Sequence, residues 1–229
     1  MGNRISGISS MATRQVLAEL AVAYRQAGGV ELAIESVGGV DAARRVEAGE
    51  AFDLVILAAD AIEKQIAGGS VLAGSRCDLV RSPVAIAVRS GAARPDVATE
   101  DALRRAVLAA RRIGYSTGPS GNAMLKLFEH WGIADELRAR IVQAPAGVPV
   151  GSLVADGSVE LGFQQLSELL GQPGIEIVGA MPSDCEIVTT FSGGICAASI
   201  QPEAVRVLLA WLQSPAAAET KRRHGMEPA

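Results

Sequence analysis

Apolar positions along the chain alternate between short strand-like runs and helices with a single apolar face. Residues 5–8 predict a strand. Residues 11–26 predict a helix with Val16, Leu20 and Ala23 on one side, ended by Gly28-Gly29, because glycine accepts the left-handed cap conformation. Residues 30–36 alternate as a strand, 42–48 read as a helix ending at Gly49, and 53–58 are a nearly continuous apolar strand. A helix over 61–67 then stops at Gly68-Gly69. Strands this apolar suit a parallel sheet covered on both faces. Three strand–helix units in a row argue for an α/β layer architecture.

The same rhythm continues beyond Pro83. Strands are expected at 84–88, 113–116, 141–143, 159–163 and 175–178. Helices are expected at 99–112 with Thr99 as N-cap, 122–131, from Pro149 to Ala155, 166–170, 202–212 and 216–223. Residues 186–198 read as an extended crossover. Two successive αβ blocks with joints near 81–84 and 183–187 predict two lobes connected twice. One lobe takes residues 1–83 and 185–229, the other 84–184.

Composition narrows the class. The 229 residues are 49% hydrophobic, 20% charged and 3% aromatic, which excludes a disordered chain. A net charge of −4 argues against a nucleic-acid partner. No apolar run reaches the roughly 20 residues of a membrane-spanning helix. The opening residues show no apolar leader core, so the chain as written is expected in the cytoplasm, or in the periplasm if a signal peptide has been removed. Cys77, Cys185 and Cys196 have no paired spacing and read as structural thiols. With only His130 and His224 besides, neither a metal site nor a cofactor is expected.

Candidate chemistry lies in small polar loops between strand ends and helix starts. Ser9-Ser10, Gly38-Gly39, Ser120-Gly121-Asn122 and Gly147-Val148-Pro149 each precede an expected helix. Helix starts leave N–H groups unpaired and carry about half a positive charge, so several aimed at one crevice would hold an anion. Taken singly, each is better explained as a cap or turn former; as a set of four, the two readings stand level.

Nearly the whole chain resembles the ModA-like, molybdate-binding branch of the type 2 periplasmic binding proteins. The resemblance rests on residues 7–11, 45–60 with the strand entry Gly49, Glu50 and Asp53, 118–122, 159–165, and the closing Lys221 to Gly225. It implies two α/β lobes, each a mixed sheet flanked by helices, hinged by two crossing strands around a small anion. By position, it assigns ligand contact to Ser10, to Gly39 or Val40, to Ser120, and to Gly147 or Val148. Gln165 falls where molybdate binders carry a tyrosine, and one serine of the family pattern is absent. The amides of Gln164 and Gln165 suit a carboxylate better than a tetrahedral oxyanion, so an organic anion is expected rather than molybdate. If exported, the protein would serve an ABC transporter.

Some relatives in this branch resemble aconitate isomerase, which shifts a proton on an unsaturated tricarboxylate. That gives an enzyme as the alternative to a binding protein. Asp60, Tyr115 and Glu168 are the possible bases, with Asp60 read first as a helix N-cap. Arg14, one turn beyond Ser10, could reach a carboxylate or simply face solvent. Arg44 and Arg45 are expected to pair with Glu47 and Glu50 on the surface. His130 is read as a helix-end dipole partner, and His224 as non-catalytic.

Overall fold

Residues 54–58 are buried on both faces, and they form the middle strand of the first unit's sheet. The computed structural model describes residues 4–145 and 147–229. Contacts divide the chain into two units, Met1–Arg81 with Thr190–Ala229, and Ser82–Thr189.

In the first unit the chain runs β1 (Arg4–Ser10), α1 (Arg14–Gln26), β2 (Glu31–Val37), α2 (Gly39–Glu47), β3 (Leu54–Ala58) and α3 (Ala59–Ala67). It then enters β4 (Cys77–Arg89), which crosses into the second unit. There follow α4 (Glu100–Ala109), β5 (Ile113–Tyr115), α5 (Pro119–His130), α6 (Ala134–Leu137), β6 (Ile141–Gln143) and α7 (Val150–Ala155). After β7 (Leu161–Gln165), α8 (Leu166–Leu169) and β8 (Ile175–Ala180), the chain returns through β9 (Val188–Ile195). It closes with α9 (Pro202–Gln213), α10 (Pro215–Arg223) and β10 (Glu227–Pro228). The fold is mixed α/β, as expected, with parallel and antiparallel pairs in each unit.

The first unit orders its strands β2-β1-β3-β9. β1 runs parallel to both neighbours (Ser10 opposite Val37, Ser9 opposite Ile56), and β9 lies antiparallel to β3. Successive strand residues point to opposite faces. Ile5, Leu54 and Ile56 therefore pack on Val16, Leu17 and Leu20 of α1 and Leu208, Leu209 and Leu212 of α9. Ile8, Val55 and Leu57 pack the other way, on Ala42 and Val46 of α2 and Ile62 of α3. Each buried Val, Leu or Ile among these contributes about 1.5–3 kcal/mol. This two-sided packing fixes where β1, β2 and β3 end, and so where the next helices begin.

The second unit orders its strands β8-β4-β7-β5-β6, with β7, β5 and β6 mutually parallel and β4 antiparallel to β7 (Val84 opposite Gln165). Val84, Ile86, Leu161 and Phe163 face α4 and α5 through Leu103, Val107, Met124 and Phe128. On the opposite face α7 brings Val150 and Val154 against Val159, and α8 brings Leu169 against Ala85 and Ala87. Gly162 makes this second contact possible. A Cβ there would sit 2.4 Å from Val154 Cγ2, so a side chain would push α7 off the sheet.

Two expectations about elements are corrected. β4 starts at Cys77 and not at Val84, because Pro83 does not end it. Val80 and Arg81 pair with β10, Val84 onward pair with β7 and β8, and neither ladder needs an N–H at residue 83. The helix expected from Asn122 starts at Pro119, a residue suited to the first helical position. Ser120, Gly121 and Asn122 thus form its first turn and do not precede it.

Candidate functional site

At the carboxyl ends of β1 and β2, the first unit gathers Ser9, Ser10, Ser36, Gly38 and Gly39. Ser9 and Ser10 are buried; the Ser9 hydroxyl shares a 2.8 Å hydrogen bond with that of Ser36 and donates to the Ser10 carbonyl. Ser10 caps a 3-10 turn at Met11–Thr13 with its backbone, and its hydroxyl makes no cap bond. The α2 start lies beside it, since a Cβ on Gly39 would be 3.7 Å from the Ser10 Cβ. Gly38 is the α2 N-cap. The positive end of α2 is partly offset by its own Asp41, in the first turn and paired with Arg44 at 3.1 Å.

In the second unit, α5 presents its first turn at the end of β5. The Ser120 side chain is buried against Ser116, with hydroxyls 2.9 Å apart. Gly121 and Asn122 both direct their N–H groups to the Gly118 carbonyl, and Asn122 is exposed. Gly121 is required by sterics: a Cβ there would lie 1.8 Å from the Ser116 carbonyl oxygen. The helix start is therefore held against the strand end by backbone contact.

The end of β7 carries the densest polar group. Gln164 Oε1 accepts from the Gly151 N–H at the α7 start (3.3 Å), and Gln164 Nε2 donates to Glu168 Oε1 (3.0 Å). Gln165, on the other face, donates from Nε2 to Thr189 Oγ1 at 2.7 Å. Among the described residues, its Oε1 and the Ser82 hydroxyl are the buried side-chain atoms with no partner. Glu168 is half-buried on the first turn of α8. Burial pushes its carboxyl up to about 7, against the opposing pull of the Gln164 amide.

The other candidate residues are placed as follows, some as expected and some not. Val148 is not a free backbone donor, because its N–H closes a turn on the Pro145 carbonyl (3.0 Å), next to Gly147 at φ +78°. Gln164 is already committed at both ends of its amide. Asp60 is no N-cap; Ala58 holds that position, and Asp60 lies exposed in the first turn of α3. Arg14 faces solvent. Arg45 bonds Glu50 and Glu35, Arg44 bonds Asp41, and Glu47 instead receives Gln65. Tyr115 is buried in β5. His130 closes α5, exposed, while His224 pairs with Glu19 at 2.8 Å.

The thiols offer no nucleophile at neutral pH. Burial pushes Cys77 and Cys185 up to about 11 and Cys196 up to about 12. Among the described residues no cluster of three His, Cys, Asp or Glu could hold a metal ion, and no helix is long and apolar enough to cross a membrane. The Gln164–Glu168 link was missed in the sequence because its four-residue spacing spans a strand end and a helix start, where a helical i, i+4 rule gives no warning.

Comparison with known proteins identifies the fold and the family. The chain is 38% identical over 227 residues to aconitate isomerase of Pseudomonas sp, a match covering 96% of this chain and 86% of that protein. Its fold matches the periplasmic molybdate-binding protein of Azotobacter vinelandii (TM-score 0.79, 21% identity, 97% of this chain and 98% of that one). It also matches the tungstate-binding protein TupA of Desulfovibrio alaskensis (TM-score 0.70, 18% identity, 99% of both chains). At these identities the solved structures establish the type 2 periplasmic-binding-protein fold and nothing finer. The model of the bacterial extracellular solute-binding proteins matches residues 5–227, and the chain belongs to that ModA-like family.

Proposed function

We propose that this protein isomerises small unsaturated polycarboxylic acids, as an aconitate isomerase does. The observation that carries the reading is the 38% identity to aconitate isomerase, which extends over 96% of this chain and 86% of that protein. The chemistry required is modest. A C–H bond next to a carboxylate breaks, its electron pair becomes a delocalised enolate, the double bond migrates, and the proton is returned at the other end of the allylic system. Nothing is oxidised or reduced. Such a step needs a base near neutral pKa and hydrogen-bond donors for the developing negative charge.

The second unit supplies candidates for both. The Ser116–Ser120 hydroxyl pair at the α5 start leaves one O–H to donate to a carboxylate, and the half-buried carboxyl of Glu168 stands at the end of the neighbouring strand β7. In the first unit, Ser10 and the start of α2 form a separate group of donors of the same kind.

A second reading, an anion-binding protein that feeds an ABC transporter, is favoured by the family itself. Incubating the protein with cis- or trans-aconitate and separating the isomers by chromatography distinguishes the two. Conversion to a common equilibrium ratio is expected. Calorimetric binding of the acid with no conversion would replace the enzyme with the transporter component.

A further inference from the structure

We infer that Glu168 is the group that moves the proton, and that Gln164 is its positioning residue, tying the carboxylate to the start of α7. The inference rests on the isomerase reading and names the residue that would perform its chemistry. Its basis is geometric. The Glu168 carboxylate receives the Gln164 amide at Oε1 at 3.0 Å, and among the described residues its Oε2 has no hydrogen-bond partner. The Gln164 amide is in turn fixed by the Gly151 N–H at 3.3 Å, and Gly151 is held by α7, whose close approach depends on Gly162. A free carboxylate oxygen on a clamped side chain, at the carboxyl end of a parallel strand, is where α/β sheets present groups to ligands.

The other possible bases fall away on placement. Asp60 is solvated on the first turn of α3, and Tyr115 is packed into β5. Around Glu168 the neighbouring elements are electrically quiet. Neither α7 nor β7 has an ionisable side chain, and nor does the rest of α8. Glu176 of β8 is engaged by the Gly91 N–H, and Arg89 stands at the far end of β4. Burial therefore acts almost alone on this carboxyl, opposed only by Gln164, which accounts for its rise to about 7.

In the step, Glu168 Oε2 takes a proton from the methylene carbon of the acid. The C–H electron pair enters the enolate, the double bond migrates, and the protonated carboxyl returns its proton to the former vinyl carbon. The carboxylate is regenerated and no co-reactant is needed.

The test compares wild type with E168Q, E168D and Q164L, using cis- and trans-aconitate as substrates. Calorimetry gives Kd, isomer separation gives kcat and KM, and circular dichroism checks the fold. E168Q is expected to lose at least about 100-fold in kcat with Kd within a few-fold of wild type. E168D should keep part of the activity. In wild type the acidic limb of kcat/KM should fall near pH 7. In Q164L it should move to higher pH, because the lost amide bond no longer favours the charged carboxylate. Wild-type kcat in E168Q, or an unmoved limb in folded Q164L, overturns the inference and leaves the isomerase reading standing. Wild-type protein that converts neither acid overturns that reading and the inference together.

Discussion

Replacing Glu168 by glutamine tests the desolvated carboxyl without any assay of activity. Glutamine keeps the shape and can still accept the Gln164 amide hydrogen bond, so packing and geometry are retained. What changes is titration. Burial raises the Glu168 carboxyl from the ordinary 4.5 to about 7, so the folded state holds its proton to higher pH than the unfolded chain does. Folding stability from this group is therefore complete below 4.5 and is lost as pH rises through about 7. The full loss is about 3 kcal/mol at 1.36 kcal/mol per unit. Roughly 2 kcal/mol remains between pH 5 and pH 8, once the part of the window below pH 5 and the partial exposure of the side chain are allowed for. Other carboxylates titrate equally in both proteins and cancel. Urea unfolding of wild type and E168Q at the two pH values should show E168Q gaining by roughly that 2 kcal/mol on going from pH 5 to pH 8. A difference between the two proteins that is equal at pH 5 and pH 8 would refute the desolvated carboxylate, and so would one that moves in favour of wild type.

Other substitutions separate site from scaffold. Gly121→Ala should cost about 1–3 kcal/mol in thermal or urea unfolding and weaken acid binding, because its Cβ would overlap the Ser116 carbonyl and must displace the α5 start. Thr99→Ala should cost about 1 kcal/mol by losing the cap bond to the Ala102 N–H, with kcat unchanged. Lys221 is fully buried with its amine on the Leu79 carbonyl, and burial lowers its pKa. Lys221→Met should be neutral or stabilising by about 1 kcal/mol at pH 7. That advantage should shrink as pH rises toward 10.5, since the folded lysine loses its proton before the unfolded one does. Lys221→Ala should instead lose about 2–4 kcal/mol to the cavity it leaves.

Most of the fold was legible because its strands are apolar and its helices end at glycines. β3 and the helix stop at Gly49 could be read directly from residue type. β4 could not be read whole, since a proline in a strand signals a break, and only the change of pairing partner at that point shows why it is tolerated. The helix-start groups around Ser10 and Ser120 were visible from small polar residues at strand ends. Their detailed state was not. Whether a backbone N–H is free depends on turns such as the one that consumes Val148, and side-chain periodicity carries no such information. Gln164 and Gln165 look alike in sequence, yet strand alternation sends one to α7 and the other to Thr189. Glu168 was one name among three until burial distinguished it from solvated Asp60. The order of the two functions also changed. The helix-start loops and the family resemblance together favoured a binder, whereas the 38% identity to an isomerase over 96% of this chain favours the enzyme.

Proton NMR of trans-aconitate with the purified wild-type protein in deuterated water tests the central claim most directly. The account predicts that the cis isomer appears at a rate proportional to protein concentration, with deuterium entering the methylene position whenever the abstracted proton exchanges before its return. An acid that binds, shown by line broadening, while its spectrum shows neither the second isomer nor loss of methylene signal would contradict it.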